Sequence, residues 1–95
     1  MKRFTLYVAN NTVDLENALT HAYGGLTVLR GTGTWIDADK ALYREPTNVL
    51  TVFADEGRTD FAASFDKLVA LHTKERAYVL EGPTDAEIRF VEYLR

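Results

Sequence analysis

The order in which hydrophobic periodicity changes along the 95 residues constrains this chain more than any single motif. Phe4-Thr5-Leu6-Tyr7-Val8 alternates with period two, the spacing of a strand, and directs Phe4, Leu6 and Val8 inward. Asn10-Asn11-Thr12 offers helix-capping side chains, and Leu15, Ala18, Leu19, Ala22 and Tyr23 follow at helical spacing. Gly24-Gly25 stops this helix, because glycine accepts the left-handed conformation that commonly ends one. Leu26 to Leu29 opens a second strand, and Asn48 to Ala54, rich in β-branched residues, makes a third. Residues 31–47 between them are too many for a tight hairpin and are expected to form a loop or an irregular strand extension. After a cap at Thr59, the residues Phe61, Phe65, Leu68, Val69 and His72 mark a second helix. His72 falls at its end, where a histidine suits the helix dipole. Arg76 to Glu81 reads as a fourth strand, broken by Gly82-Pro83. The tail from Ala86 to Leu94 alternates as a fifth strand, with a short helix as the alternative.

The order β-α-β-β-α-β predicts an α+β fold of the ferredoxin-like kind, two helices on one face of an antiparallel sheet. A chain this short has room for one core, so residues 1–95 are read as a single domain. A hydrophobic content of 46% argues against disorder. A monomer of this size has little depth to enclose a pocket, so a small-molecule site is expected to be shallow or shared between subunits. The net charge of −3, with Lys2-Arg3 as the only adjacent basic pair, gives no nucleic-acid footprint. The absence of cysteine removes disulfides, thiol catalysis and thiolate metal sites together. The apolar run in MKRFTLYVANN is too short for a signal peptide, and nothing reaches transmembrane length, so a cytoplasmic location is expected.

The segment GGLTVLRGTGTWIDADKALYREPTNVLTVF, residues 24–53, holds the residues that could carry chemistry. Glu45 precedes Pro46, which biases it toward an extended conformation at the entrance of the third strand. A carboxylate there either binds an amine or another cation, or is an exposed loop glutamate. Gly31-Thr32-Gly33 points to a bulge, a turn or a backbone that a ligand approaches closely. It is neither a dinucleotide fingerprint nor a phosphate loop, since the third glycine and the Lys-Ser/Thr pair are missing. Tyr23, Trp35 and Tyr43 could stack on a flat heterocycle or face a cation, or else serve core and interface packing. Asp37 and Asp39 in IDADK lack the further oxygen ligands and the central glycine of a calcium loop and read as a hydrated turn. His21 and His72 have no metal-ligand spacing, so no metal and no cofactor is expected.

On the segments GGLTVLRGTGTW and YREPTNVLTVF, together with the strand order, the chain resembles the small phage-encoded S-adenosylmethionine (SAM) lyases. The likeness covers roughly residues 20–55. It implies a ferredoxin-like, PII-like fold, a homotrimer with SAM bound between subunits, and a location in the host cytoplasm. It also implies cleavage of SAM to 5′-methylthioadenosine and homoserine lactone, with a glutamate important at the site. Glu45 is the position that best fits this glutamate, with Gly31, Gly33 and an aromatic among Tyr23, Trp35 and Tyr43 as substrate contacts. Arg30 and Thr34 could reach the same site from the strand. The residues alone leave two other readings open: a non-enzymatic PII-like module for an adenine nucleotide, and a phage protein acting through a protein partner.

Overall fold

The computed structural model describes residues 1–55, 57 and 59–95. The elements run β1 (Lys2–Ala9), α1 (Val13–Tyr23), β2 (Thr27–Ile36), β3 (Leu42–Ala54), α2 (Phe61–His72), β4 (Ala77–Glu81) and β5 (Ala86–Phe90). A 3₁₀ turn, Glu92–Leu94, follows. The strands form one sheet in the order β2-β3-β1-β4-β5, every pairing antiparallel. This is the ferredoxin-like arrangement with β5 added beside β4, so the expected fold class holds.

Alternation along β1 sends Phe4, Leu6 and Val8 to the helix side, where they meet Leu50, Val52 and Ala54 of β3. Leu15 and Leu19 of α1 and Phe61, Phe65 and Val69 of α2 close this core at the helical spacing seen in the sequence. Phe65, Leu6, Leu15, Leu19 and Leu50 are fully buried, and each such side chain stabilises the fold by about 1.5–3 kcal/mol. Phe4, Phe61 and Phe65 form an aromatic cluster with ring centroids 4.4–6.3 Å apart. Gly24 ends α1 with φ +83°, and its N–H donates to the Thr20 carbonyl at 2.8 Å. The start of α2 falls one residue later than expected, with Asp60 rather than Thr59 at the cap position.

Of the two forms expected for residues 31–47, the structure takes the strand extension and not the loop, and the extension is regular rather than irregular. β2 continues to Ile36 and β3 begins at Leu42, in unbroken register from Thr27 opposite Thr51 to Ile36 opposite Leu42. Gly31 and Gly33 therefore sit inside a regular strand, not at a bulge or turn. The turn is confined to residues 37–41. Asp37 organises it by accepting the Asp39 and Ala41 N–H groups on its Oδ1, while Lys40 takes φ +62°. Pro46 is accommodated inside β3 because β1 ends there. Its carbonyl accepts the Asn10 N–H at 2.9 Å, so its ring nitrogen faces the Asn10 carbonyl, which Asn48 Nδ2 satisfies instead at 2.6 Å. The tail uses both of its expected forms in succession, strand and then helical turn.

Both helices cover one face of the sheet. The other face is open and carries Leu29, Phe53, Ile88 and Phe90, all more than half exposed.

Candidate functional site

A cleft of about 740 Å³ lies on the open face at the end where β1 stops. That size is within the roughly 300–1,000 Å³ typical of ligand pockets. Tyr7 and Ala9 of β1 and Val79 of β4 form its floor. The β2–β3 hairpin supplies one wall through Gly33, Thr34, Trp35, Glu45 and Thr47, and Ile88 and Phe90 of β5 supply the other. Residues 74–76, between α2 and β4, close the end.

Register puts Glu45 in the cleft. It pairs with Gly33, which has no side chain to compete for the space above the strands. A Cβ at Gly33 would come within 2.4 Å of the Thr47 hydroxyl, so the glycine is what lets Thr47 lie close to β2. One residue pair toward the tip, Thr34 faces Arg44, and Trp35 then stacks on Tyr43 with centroids 6.0 Å apart and ring planes at 27°. The pair offers a broad aromatic surface, each ring 46% exposed and so free to take a ligand.

The carboxylate of Glu45 is held on one oxygen only. Its Oε2 accepts from Asn10 Nδ2 at 3.4 Å, and the same amide donates to Glu75 Oε2 at 3.2 Å. Asn10 reaches both because it follows β1 in the left-handed region, φ +63°, a conformation asparagine tolerates better than most residues. Oε1 of Glu45 is buried and has no partner, alone in this among the buried side-chain polar atoms of the described residues. An unpaired buried carboxylate oxygen is costly, and a cationic donor is the group that would relieve it. On the cleft floor, the Tyr7 hydroxyl donates to Glu81 Oε1 at 3.1 Å, and this bond holds its pKa above the ordinary phenol value. The floor therefore presents a neutral ring.

Of the residues singled out in the sequence, the structure brings together Glu45, Gly33, Trp35 and Thr34, with Tyr43 stacked behind Trp35. Gly31 lies on the same face, two residues back along β2 and outside the cleft lining. Tyr23 ends α1, packs on Phe65 at 5.3 Å and borders a separate hollow with Gly24 and Gly25. Arg30 points to the helix side, where its guanidinium grips both oxygens of Glu16 at 2.9 and 3.0 Å and donates to Asn48 Oδ1 at 2.7 Å. Sequence reasoning missed Asn10, Glu75, Tyr7, Ile88 and Phe90. The alternation of β1 and the tail carried a signal for Tyr7, Ile88 and Phe90. Asn10 belongs to the Asn10-Asn11-Thr12 stretch that reads as helix-capping; in the structure Thr12 holds the cap position without a side-chain cap bond, and Asn11 accepts the Val13 N–H at 3.1 Å. Glu75 had no signal, because it meets Glu45 only through the Asn10 amide, which the fold brings between them. Among the described residues no three metal-ligating side chains converge, and no helix is long and apolar enough to cross a membrane.

No protein-family model and no curated protein sequence matches the chain. Solved structures similar to it in fold include two of phage SAM lyases. A phage SAM lyase in complex with S-methyl-5′-thioadenosine superposes with a TM-score of 0.69 at 14% identity, over 97% of this chain and 91% of that one. A phage SAM lyase in the apo state gives 0.69 at 15% identity, over 96% and 90%. At these identities the likeness establishes a shared fold.

Proposed function

We propose that this chain is a SAM lyase, and that the cleft beside Glu45 holds the substrate. The observation that carries the reading is the buried, unpartnered Oε1 of Glu45 at the end of an aromatic-walled cleft. SAM has the matching groups: an α-ammonium for that oxygen, a sulfonium for a ring face, and an adenine for Trp35 or the apolar β5 wall. The shared fold with lyases, one of them in complex with methylthioadenosine, supports the same reading.

The reaction asks for no protein nucleophile. The substrate's carboxylate oxygen attacks its own γ-carbon and the γ-carbon–sulfur bond breaks. The bonding pair returns to sulfur, giving neutral methylthioadenosine and homoserine lactone with no proton transferred. The protein's part is to fold the methionyl chain into the reactive conformer and exclude water. Glu45 fixes the ammonium, Asn10 spaces Glu45 from Glu75, and Gly33 keeps the wall low enough for the ligand to lie against β2. Gly31, Tyr43 and Tyr23 belong to the wider set of proposed contacts. Tyr43 acts through its stack on Trp35, and Tyr23, in its separate hollow, would have to come from a neighbouring subunit. A homotrimer with the cleft completed at subunit contacts fits the open apolar face, and the host cytoplasm, where SAM is made, is the proposed location.

The test is incubation of the purified protein with SAM and chromatography for both products against a no-protein control. Both should form well above spontaneous decay. Glu45→Gln should lower turnover about 100-fold with the fold intact by circular dichroism. Binding of SAM without products would instead identify a nucleotide-binding module, and unchanged turnover would remove Glu45 from the mechanism.

A further inference from the structure

Strand β5 forms the outer wall of the cleft, yet its side chains give it little hold on the body of the protein. It is an edge strand with β4 as its one neighbour. Ile88 and Phe90 face the cleft, 63% and 58% exposed, and Ala86 and Glu87 are exposed as well. Arg89 is the one β5 side chain drawn inward. Alternation sends it to the helix face, where Nε donates to Asp66 Oδ1 at 3.1 Å and Nη2 to Asp66 Oδ2 at 2.5 Å. The Asp66 side chain, on α2, is only 5% exposed. It also accepts the Tyr78 hydroxyl from β4 at 2.8 Å, and Arg89 Nη1 reaches Glu87 at 2.9 Å.

Such an arrangement is a poor way to gain stability, because desolvating the two charges offsets much of their attraction. It is a good way to fix a strand, since a planar fork on a carboxylate allows one depth and one orientation where an apolar side chain would allow several. The groups are also locked in their donating and accepting forms. Burial, then the bond to Asp66, raises the Tyr78 hydroxyl pKa, and the same carboxylate raises that of Arg89. Beyond the strand, Val91 is fully buried and its N–H bonds the Arg76 carbonyl at 2.7 Å, so the C-terminal end of β5 has its own anchor. In the middle of the strand, beyond its backbone pairing with β4, Arg89 is the one side chain that reaches into the body of the protein.

We propose that Arg89, through its fork on Asp66, is a positioning residue that sets Ile88 and Phe90 as the wall against which the bound ligand packs. The identity of that ligand rests on the lyase reading; the clamp itself does not.

Hydrogen–deuterium exchange and SAM kinetics on wild type, Arg89→Met and Arg89→Lys test this together. In Arg89→Met, amides of residues 86–90 should exchange about tenfold faster while those of β1 and β3 keep their rates. KM for SAM should rise about tenfold with kcat within about twofold, because a wall touches ground and transition states alike. Arg89→Lys, with the charge but not the fork, should recover part of both effects. Asp66→Asn, which keeps its side chain's size and its acceptor for Tyr78, gives the same comparison should the methionine variant fail to fold. Unchanged exchange at 86–90 would overturn the proposal. So would faster exchange with an unchanged KM, since β5 would then not touch the ligand. A wild type that consumes no SAM, alongside faster β5 exchange in the variant, would sink the lyase reading and leave the clamp standing.

Discussion

Gly31 and Gly33 look alike in the sequence and differ in what their missing side chains permit. Neither takes a positive φ, so conformational freedom explains neither of them. A Cβ at Gly31 would find only the Thr47 carbonyl oxygen, at an ordinary 3.9 Å. At Gly33 it would collide with the Thr47 hydroxyl beside Glu45. Alanine at the two positions should therefore separate them. Gly31→Ala should be neutral or stabilise the fold by about 0.4–1 kcal/mol, through the less flexible unfolded chain. Gly33→Ala must turn Thr47 or lift β2 away from β3, and should lower kcat/KM about tenfold with a smaller loss in thermal stability. Thermal melts and kinetics on the two variants check this. Equal behaviour would mean that the close approach at Gly33 has no bearing on the site.

On the scale of elements, α1 is tied to the sheet by charge as well as by Leu15 and Leu19. Arg30 on β2 grips Glu16 on α1, and Thr12 donates to the same carboxylate at 2.6 Å. The bond from Arg30, more than that from Thr12, holds the Glu16 pKa below the ordinary carboxylate value. A pKa lowered by folding means stability that is whole above the unfolded-state value and lost as the pH falls through the folded one. Arg30 is more than half exposed, so solvent screens the pair and the effect is modest. Glu16→Gln should lower the Tm by about 2–4 °C at neutral pH, and the difference from wild type should close as the pH is taken below the carboxylate range. A difference that persists in acid would assign the loss to packing. The same elements show what the sequence could tell. Period-two and helical spacing located every core element, because burial on one face imposes that pattern directly. The length of the β2–β3 hairpin was hidden, because none of residues 31–36 and 42–47 in its outer half is buried, Trp35, Ile36, Leu42 and Tyr43 included, so no burial imposes alternation there. Glu45 was legible through its proline, while its partnership with Asn10 and Glu75 depends on contacts across three elements that no local pattern encodes.

For the whole molecule, the question is what covers the open sheet face. A 95-residue sandwich with helices on one side leaves Leu29, Phe53, Ile88 and Phe90 in water, an arrangement that soluble chains usually resolve by association. Ile88 and Phe90 belong to the cleft, but Leu29 and Phe53 lie outside its lining, Phe53 beside the hollow that Tyr23 borders. In the proposed trimer, sedimentation of the wild type should give three times the 10.7 kDa chain mass. A Leu29→Glu, Phe53→Glu double variant places carboxylates at the apolar contact and should sediment as a monomer with its circular dichroism unchanged. If a neighbouring subunit completes the site, that monomer should also lose about 100-fold in kcat/KM, since the substrate would be held on one side only. A monomeric variant with full activity would place the whole site within one chain. A monomeric wild type would remove the trimer altogether and leave the open face to a different partner. The mass and the rate thus answer separate questions, and only their joint loss supports a site shared between copies.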